Sequence, residues 1–523
     1  MRTNKYSRYI FDPLYGPIFL PDFIWDIFLT PEIQRLREVR LCNINSLCLT
    51  GGANINRFEH AIGTYHLANE CLKSWPPLNP IFEDERKIFL IAALLHDTTS
   101  AAFGHSVEYI ESIKGFDHEH AFEDVILNKG NSEYQYKFTS LDPIYFGMLK
   151  ELSTLLSVED VKKIGNLIAG KGRFGPLINS NIDLDNIDNV FRMAYHVGLI
   201  KSGKIALNLA KSLYIDKDEL IIRNDGLKYV EIWHELRKKL YKLLLLNPDE
   251  FSAKYMFSEA IELAITKKEI PFAWYHVDFE LIDKLHNLTD FNVYYLREYT
   301  GSVESKNFNY FNNNDDFTIL KNTILKNSLK YEYKKITNYA YGYILEINRS
   351  YYYVEYNDDI LKIYKAGLRS QSIKDIVLRL MKGNLYGCFG IYSTNKTNFY
   401  EDFRNIEKRN IIENKLSLYV KNNIDKKYDK IIYAIHPIID VNKTERQIEI
   451  KTENKLKKII GNKSNQLLLG IFSKNLSYNM NNVAKIPNKE IKLLQENIYK
   501  FLSLFLKDDK LKTIERYSEL NEI

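Results

Sequence analysis

Apolar residues return at three- and four-residue intervals through residues 57–72, 84–96, 117–128, 187–212 and 232–246, and this period predicts an amphipathic helix over each. Beyond residue 317 the pattern changes. YGYILEINRSYYYVEY (341–356), NLYGCFGIYS (384–393) and KIIYAIHPIIDV (430–441) predict strands, whereas NKEIKLLQENIYKFLSLFL (488–506) predicts a capped amphipathic helix. Between the two regimes, VESKNFNYFNNNDD (303–316) is rich in Asn and acidic residues and poor in aliphatics, which predicts a loop or joint; a long insertion within one domain fits it equally. The expected fold class is mainly α. A helical domain spans 1–302, with its motif-bearing core at about 50–250, and a smaller α+β C-terminal region spans 317–523.

At 523 residues the chain is long enough for a large core and more than one domain. A net charge of +5 is modest for this length, so charge alone does not argue for nucleic acid, and the Lys, Asn and Tyr richness of the C-terminal region fits a solvated surface better than an RNA or DNA interface. The four cysteines form no CxxC pair and no disulfide scaffold, which fits a reducing compartment. No apolar stretch follows the basic residues near the N-terminus, and LYKLLLL (240–246) is far shorter than the roughly 18 apolar residues of a spanning helix. A cytoplasmic protein without a membrane partner is therefore expected.

Ten of the eleven histidines lie between His60 and His286, so chemistry that needs imidazole belongs to the first part of the chain. Arg57 and His60 in RFEH are i,i+3 neighbours on one helical face. The apolar run FLIAALLHD (89–97) ends abruptly in His96 and Asp97, FDHEHAFED (116–124) adds His118 and Glu119, and NIDLDNIDNVFRMAYHVG (181–198) adds a string of carboxylates. Two imidazoles and two carboxylates can hold a divalent first-row metal and leave positions for water and a phosphate oxygen. Adjacent His96 and Asp97 diverge on a regular helix, so a site using both requires a helix end or a distortion. The plainer alternatives are hydrogen-bonded core histidines and an acid-rich helix start at DLDNID.

These motifs, in this order, resemble the HD-domain phosphohydrolases, and more closely their deoxynucleoside triphosphate triphosphohydrolase branch. The likeness runs over roughly residues 10–300, from DPLYGPIFL (12–20) and TPEIQRLREVR (30–40) through RFEH, LLHD and HEHAFED to DLDNIDNVFRMAYHVG and, more loosely, WHELRKKLY (233–241). The resemblance implies His60, His96, Asp97 and Asp185 as metal ligands, with Asp188 in reach of a supporting role. It implies His118 as proton donor to the leaving oxygen, Glu119 as its orienter, and Arg57 as a phosphate contact. His105 would border the reacting phosphate, and Arg237 and Tyr241 fall at phosphate-contacting positions. The implied cofactor is one divalent transition metal, with Mn²⁺, Fe²⁺ or Ni²⁺ favoured over Zn²⁺, and with Mg²⁺ as a nucleotide counter-ion. A homo-oligomer follows from the same likeness.

Several positions depart from that family. Ser100 replaces a histidine that lines the reaction centre, Asn189 a tyrosine, Met193 an aspartate that reads the sugar, and Leu41 a sugar-contacting glutamine. Metal and His-Glu chemistry are kept while deoxyribose-reading groups are lost, which weakens discrimination between substrates. The expected function is thus a metal-dependent phosphohydrolase acting on a nucleotide, releasing triphosphate from a (deoxy)nucleoside triphosphate. One alternative substrate is a nucleoside monophosphate, signalling nucleotide or oligonucleotide end. A further alternative is a weakly catalytic nucleotide-binding or interaction protein.

Overall fold

The structure, a computed structural model, describes residues 8–42, 54–77, 79–104, 117–127, 151–266, 275–287, 291–299, 302–305, 342–347, 350–357, 360–366, 373–424, 431–454, 456–478 and 488–514. It forms two compact units: residues 1–282 together with 379–523, and residues 283–378. In the second, five antiparallel strands lie in the order Ser302–Ser305, Phe291–Tyr299, Ile360–Ala366, Ser350–Asn357, Gly342–Ile347. Residues 303–305, expected to begin a loop, therefore belong to a strand, and the rest of 303–316 lies outside the described residues.

The larger unit is built on helices that follow the apolar periods. They are α1 (Arg57–Lys73), α2 (Glu83–Leu95), α3 (His118–Ile126), α4 (Leu184–His196), α5 (Leu227–Leu246) and α6 (Pro248–Thr266). Helix α1 is buried along most of its length and carries no strong polar face, as a central helix requires. Its first turn is capped by the Asn56 side chain, which accepts from the Glu59 N–H at 2.8 Å; Asp117 and Asp183 cap α3 and α4 in the same way. The single helix expected over 187–212 is instead two, because Gly198 turns left-handed at φ 81°. There the Leu199 N–H donates to the Ala194 carbonyl and the Gly198 N–H to that of Tyr195, a paired closure that satisfies the last carbonyls of α4.

The C-terminal region is stitched into this helical core. Strand β1 (Leu385–Thr394), β2 (Tyr433–Val441), β3 (Asn465–Tyr478) and β4 (Lys512–Ile514) form an antiparallel sheet in the order β2-β3-β1-β4. Helices α7 (Ile406–Asn423) and α8 (Asn488–Leu506) pack on it around a cluster that includes Phe403, Leu416, Leu469, Ile471, Ile498 and Leu502. On the sheet, Tyr255 of α6 stacks against Phe472 with ring centroids 5.7 Å apart, and Ser252 Oγ donates to the Tyr386 carbonyl at 2.9 Å. A second sheet joins the regions covalently distant in sequence: Ile448–Thr452 pairs parallel with Glu219–Ile222, matching Lys451 to Ile221. No helix among the described residues is long and apolar enough to cross a membrane.

Glu413 of α7 is buried with Oε1 accepting from the Ile435 N–H at 2.8 Å, and burial pushes its carboxyl from the ordinary 4.5 up to about 7. The native state then holds a proton that the unfolded chain releases, so stability falls as pH rises from about 4.5 to about 7. Glu413→Gln keeps the backbone acceptor and removes this loss. Urea unfolding at pH 8 is expected to show the variant more stable by roughly 1–3 kcal/mol, with the difference vanishing near pH 4.

Candidate functional site

Four side chains from α1, α2 and α4 converge on one point. His60 sits one turn into α1, and His96 is the C-cap of α2. After Leu95 the chain turns: the Thr98 N–H donates to the Leu95 carbonyl, and that of Ser100 to the Asp97 carbonyl. This helix end lets His96 and Asp97 face the same point. Asp185 enters from the first turn of α4. His60 Nε2 is 2.8 Å from Asp185 Oδ1, 3.1 Å from His96 Nε2 and 3.8 Å from Asp97 Oδ2; His96 Nε2 is 3.7 Å from Asp97 Oδ2 and 3.6 Å from Asp185 Oδ1.

The opposite side of each ring fixes its tautomer. His96 Nδ1 donates to the Ala93 carbonyl at 3.0 Å, and His60 Nδ1 donates to Asp188 Oδ2 at 2.7 Å. With each Nδ1 so engaged, both Nε2 atoms turn toward one another and toward Asp185 Oδ1, an arrangement suited to a cation between them. Asp97 is oriented likewise. Its Oδ1 accepts from Arg57 Nη1 and from Ser100 Oγ, the latter at 3.0 Å, while its buried Oδ2 has no hydrogen-bond partner and is turned toward the two imidazoles.

Behind His60 lies a charged network that the sequence pattern alone did not reveal. Arg192, one turn after Asp188 on α4, donates from Nε to Asp188 Oδ2 at 2.8 Å and from Nη2 to Oδ1 at 3.0 Å. Its Nη1 reaches Asp12 at 2.9 Å and Glu59 at 2.7 Å, tying the N-terminal hairpin (Tyr9–Asp12 with Gly16–Phe19) and α1 to the same guanidinium. Gly63 makes the approach of α1 to α4 feasible, since a Cβ there would collide with Asp188 Oδ1 and Arg192 Nη2. The Asp188–Arg192 spacing of four and the glycine one turn after His60 were the available signals.

The other expected residues fall in several places. His118 is buried, with Nε2 3.7 Å from Asp97 Oδ1 and its carbonyl accepting from Thr99 Oγ1 at 2.7 Å. Glu119 accepts from Asn179 Nδ2 at 2.7 Å. Asn189 lies half-buried on α4, and Met193 and Leu41 are buried. Arg237 lies over the Tyr241 ring at 4.0 Å and donates to the Asn442 and Lys443 carbonyls, so both residues brace the turn after β2. His105 lies outside the described residues. Asp183, two residues before Asp185, is the cap of α4 and accepts from the Ser180 and Asn186 N–H groups at 2.7 Å.

The electrostatics favour added positive charge at the convergence point. Burial alone would raise the Asp97 carboxyl, yet Arg57 and the His96, His60 and His118 rings hold it well below the usual carboxylate range. Burial likewise opposes charge on His60, but hydrogen bonds to Asp185 and Asp188 carry it up to about 10. A first-row ion bonded at about 2.1 Å sets neighbouring donor atoms about 3.0–3.4 Å apart, close to the spacings seen, and two imidazole nitrogens with two carboxylate oxygens suit such an ion. His60, His96 and Asp97 thus form a metal-holding cluster, with the unpartnered Oδ2 as the carboxylate donor. Asp188→Asn retains the shape but weakens the hold on His60 Nδ1 and on Arg192. Mn²⁺ titration followed by electron paramagnetic resonance is expected to show affinity lowered about 10–100-fold.

Comparison with known proteins places this geometry. Residues 57–137 match the family model described as HD domain, which contains every cluster residue except Asp185. The chain is 26% identical over 255 residues to an uncharacterized protein, YwfO, of Bacillus subtilis, covering 48% of this chain and 55% of the relative. It is 26% identical over 278 residues to a protein named deoxynucleoside triphosphate triphosphohydrolase SAMHD1 homolog of Dictyostelium discoideum, covering 49% of each. The chain thus spans about half the length of the curated relatives it matches. A crystal structure titled phosphohydrolase, from Bacteroides thetaiotaomicron, shares the fold with a TM-score of 0.51 at 16% identity, over 89% of this chain and 99% of that one. With the HD motif and its carboxylate partners brought to one point, residues 57–137 carry an HD domain, and about half of the chain is similar to SAMHD1-like triphosphohydrolases.

Proposed function

We propose that the protein is a metal-dependent phosphohydrolase that cleaves a nucleoside triphosphate, deoxy or ribo, and releases triphosphate. The observation that carries the reading is the convergence of the His60 and His96 Nε2 atoms with the unpartnered Asp97 Oδ2. His60, His96, Asp97 and Asp185 would hold one divalent ion, which when bound supplies Lewis acidity toward a phosphate oxygen and acidifies a water. Mn²⁺, Fe²⁺ or Ni²⁺ suits this donor set. Asp185, whose side chain is 31% exposed, lies on the open side of the cluster, where a phosphate enters.

The chain's own groups supply the rest. Arg57 carries its charge beside Asp97 and steadies negative charge on the phosphate. The His118 ring stands at the edge of the cluster and delivers a proton to the leaving oxygen, a role suited to imidazole near neutral pH. Ser100 holds Asp97 Oδ1 in place where the related enzymes carry an imidazole. By the family resemblance the buried Met193 and Leu41 replace sugar-reading polar groups, which favours a broad or modified nucleotide over strict deoxyribose selection.

The deciding experiment is anion-exchange analysis of products after incubating the protein with the four dNTPs and four NTPs plus Mn²⁺. Triphosphate is expected from wild type and none from His96→Ala/Asp97→Ala. Monophosphate or orthophosphate as product would replace this reading with another phosphohydrolase, and metal binding without any product would leave a nucleotide-binding role. In the same assay His118→Ala is expected to lower kcat by about 10²–10⁴ while Mn²⁺ affinity stays unchanged.

A further inference from the structure

Directly after His96 and Asp97 the chain runs through Thr98, Thr99 and Ser100, all three fully buried. This stretch is fastened on both sides of its middle residue. The buried Arg35 donates from Nη2 to the Thr98 carbonyl at 3.0 Å and to the Ser100 carbonyl at 2.6 Å, and from Nη1 to the His276 carbonyl at 3.1 Å. Ser100 Oγ is engaged with Asp97 Oδ1. Farther along, Asp278 Oδ1 accepts from the Phe103 N–H at 2.8 Å and secures that residue in its left-handed backbone at φ 56°. Thr99 is therefore held in place by its neighbours, and its own side chain is left for another task.

The Thr99 hydroxyl crosses to α3 and donates to the His118 carbonyl at 2.7 Å. His118 is the first residue of that helix, so the helical period already brings an N–H from the next turn to this carbonyl. The carbonyl needs no second donor to be satisfied in the core, and the consequence of the added bond is position. At the other end of the same residue, the ring Nε2 stands 3.7 Å from Asp97 Oδ1. One loop thus meets His118 twice, at the backbone through Thr99 and at the ring through Asp97, two positions earlier. A side chain leaves a helix in a set direction and a staggered rotamer, so locating the first-turn carbonyl locates the ring. The other ties of this turn point elsewhere: Glu119 accepts from Asn179 at 2.7 Å, and Asp117 caps the Glu119 N–H at 3.0 Å.

We propose that Thr99 is a positioning residue for the proton donor His118, an inference that rests on the hydrolytic reading above. Its hydroxyl sets the distance of the imidazole from the metal-facing carboxylate, and so from the leaving oxygen. In the step concerned, the bond from phosphorus to the leaving oxygen breaks while a proton passes from the imidazolium to that oxygen. Such a transfer demands hydrogen-bond reach, about 2.6–3.2 Å, and a displacement of about 1 Å takes the ring out of it. Thr99 is fully buried and acts through His118 alone.

The test compares leaving groups. Full-length wild type, Thr99→Val and Thr99→Ser are assayed with Mn²⁺ on the dNTPs and NTPs, whose sugar oxygen leaves with a proton, and on bis(p-nitrophenyl) phosphate, whose nitrophenolate leaves without one. Thr99→Val keeps the branched shape and removes the donor. It is expected to lower kcat on nucleotide about 10–100-fold with KM within about threefold, while Mn²⁺ affinity and nitrophenyl ester turnover stay within about threefold of wild type. Thr99→Ser retains the hydroxyl and is expected to restore kcat to within about threefold. Equal losses on both substrates, an unchanged kcat in Thr99→Val, or no rescue by serine would overturn the proposal. A crystal structure of Thr99→Val gives the result that needs no turnover: His118 Nε2 is expected about 1 Å farther from Asp97 Oδ1 than the present 3.7 Å, and an unmoved ring overturns the proposal. Wild type without nucleotide turnover would remove the hydrolytic reading instead, and the crystal structure would still decide whether Thr99 places the ring.

Discussion

The bidentate pair between Arg192 and Asp188 holds the functional site together. Both side chains are fully buried, and two ions in that setting survive only when their geometry and hydrogen bonds are complete. Asp188 uses its remaining capacity on His60 Nδ1, which directs Nε2 to the convergence point. Arg192 extends to Asp12 and Glu59, so the hairpin, α1 and α4 meet at one guanidinium. Gly63 is the steric condition for all of it, because only a residue without Cβ lets the carboxylate and guanidinium cross α1 at this height.

The same site leans on chain that lies far away in sequence. Trp233 Nε1 of α5 donates to the Asn186 carbonyl at 3.1 Å, and His234 Nε2 of the same helix meets the Arg446 carbonyl at 2.8 Å. Arg446 itself approaches Asn186 Oδ1 and the Ser180 carbonyl at 3.4 Å. The loop and first turn that present Asp185 are therefore backed by α5 and by the C-terminal region together. With the parallel strand pair at Ile221 and Lys451, this explains why residues 379–523 form one compact unit with the helical core.

Much of this was legible in the sequence, for identifiable reasons. A helix period returns the α1, α2 and α3 spans to within a few residues, because buried faces impose it directly. The end of the apolar run at Leu95 announced a helix terminus at His96. The helix break at Gly198 was missed because an apolar period continues across it, although a left-handed glycine is what separates the two helices. The convergence of His60, His96, Asp97 and Asp185 was implied by the family resemblance, but that of Arg192, Glu59 and Asp12 was not, since partners 133 and 180 positions apart leave no local pattern. The bracing of Arg237 against the turn after β2 was hidden for the same reason; its helix position is readable, whereas its acceptors lie 205 and 206 residues later. Ser100 shows how a departure from a family motif acquires meaning only in place, as a donor to the metal-facing carboxylate.

The central claim is that His60, His96, Asp97 and Asp185 share one ion. A crystal of the full chain grown with Mn²⁺, measured for anomalous scattering at the manganese edge, tests it most directly. The account predicts a single strong peak at about 2.0–2.3 Å from His60 Nε2, His96 Nε2, Asp97 Oδ2 and Asp185 Oδ1. No peak there at saturating Mn²⁺, or a peak that leaves Asp97 Oδ2 unbonded, would contradict it.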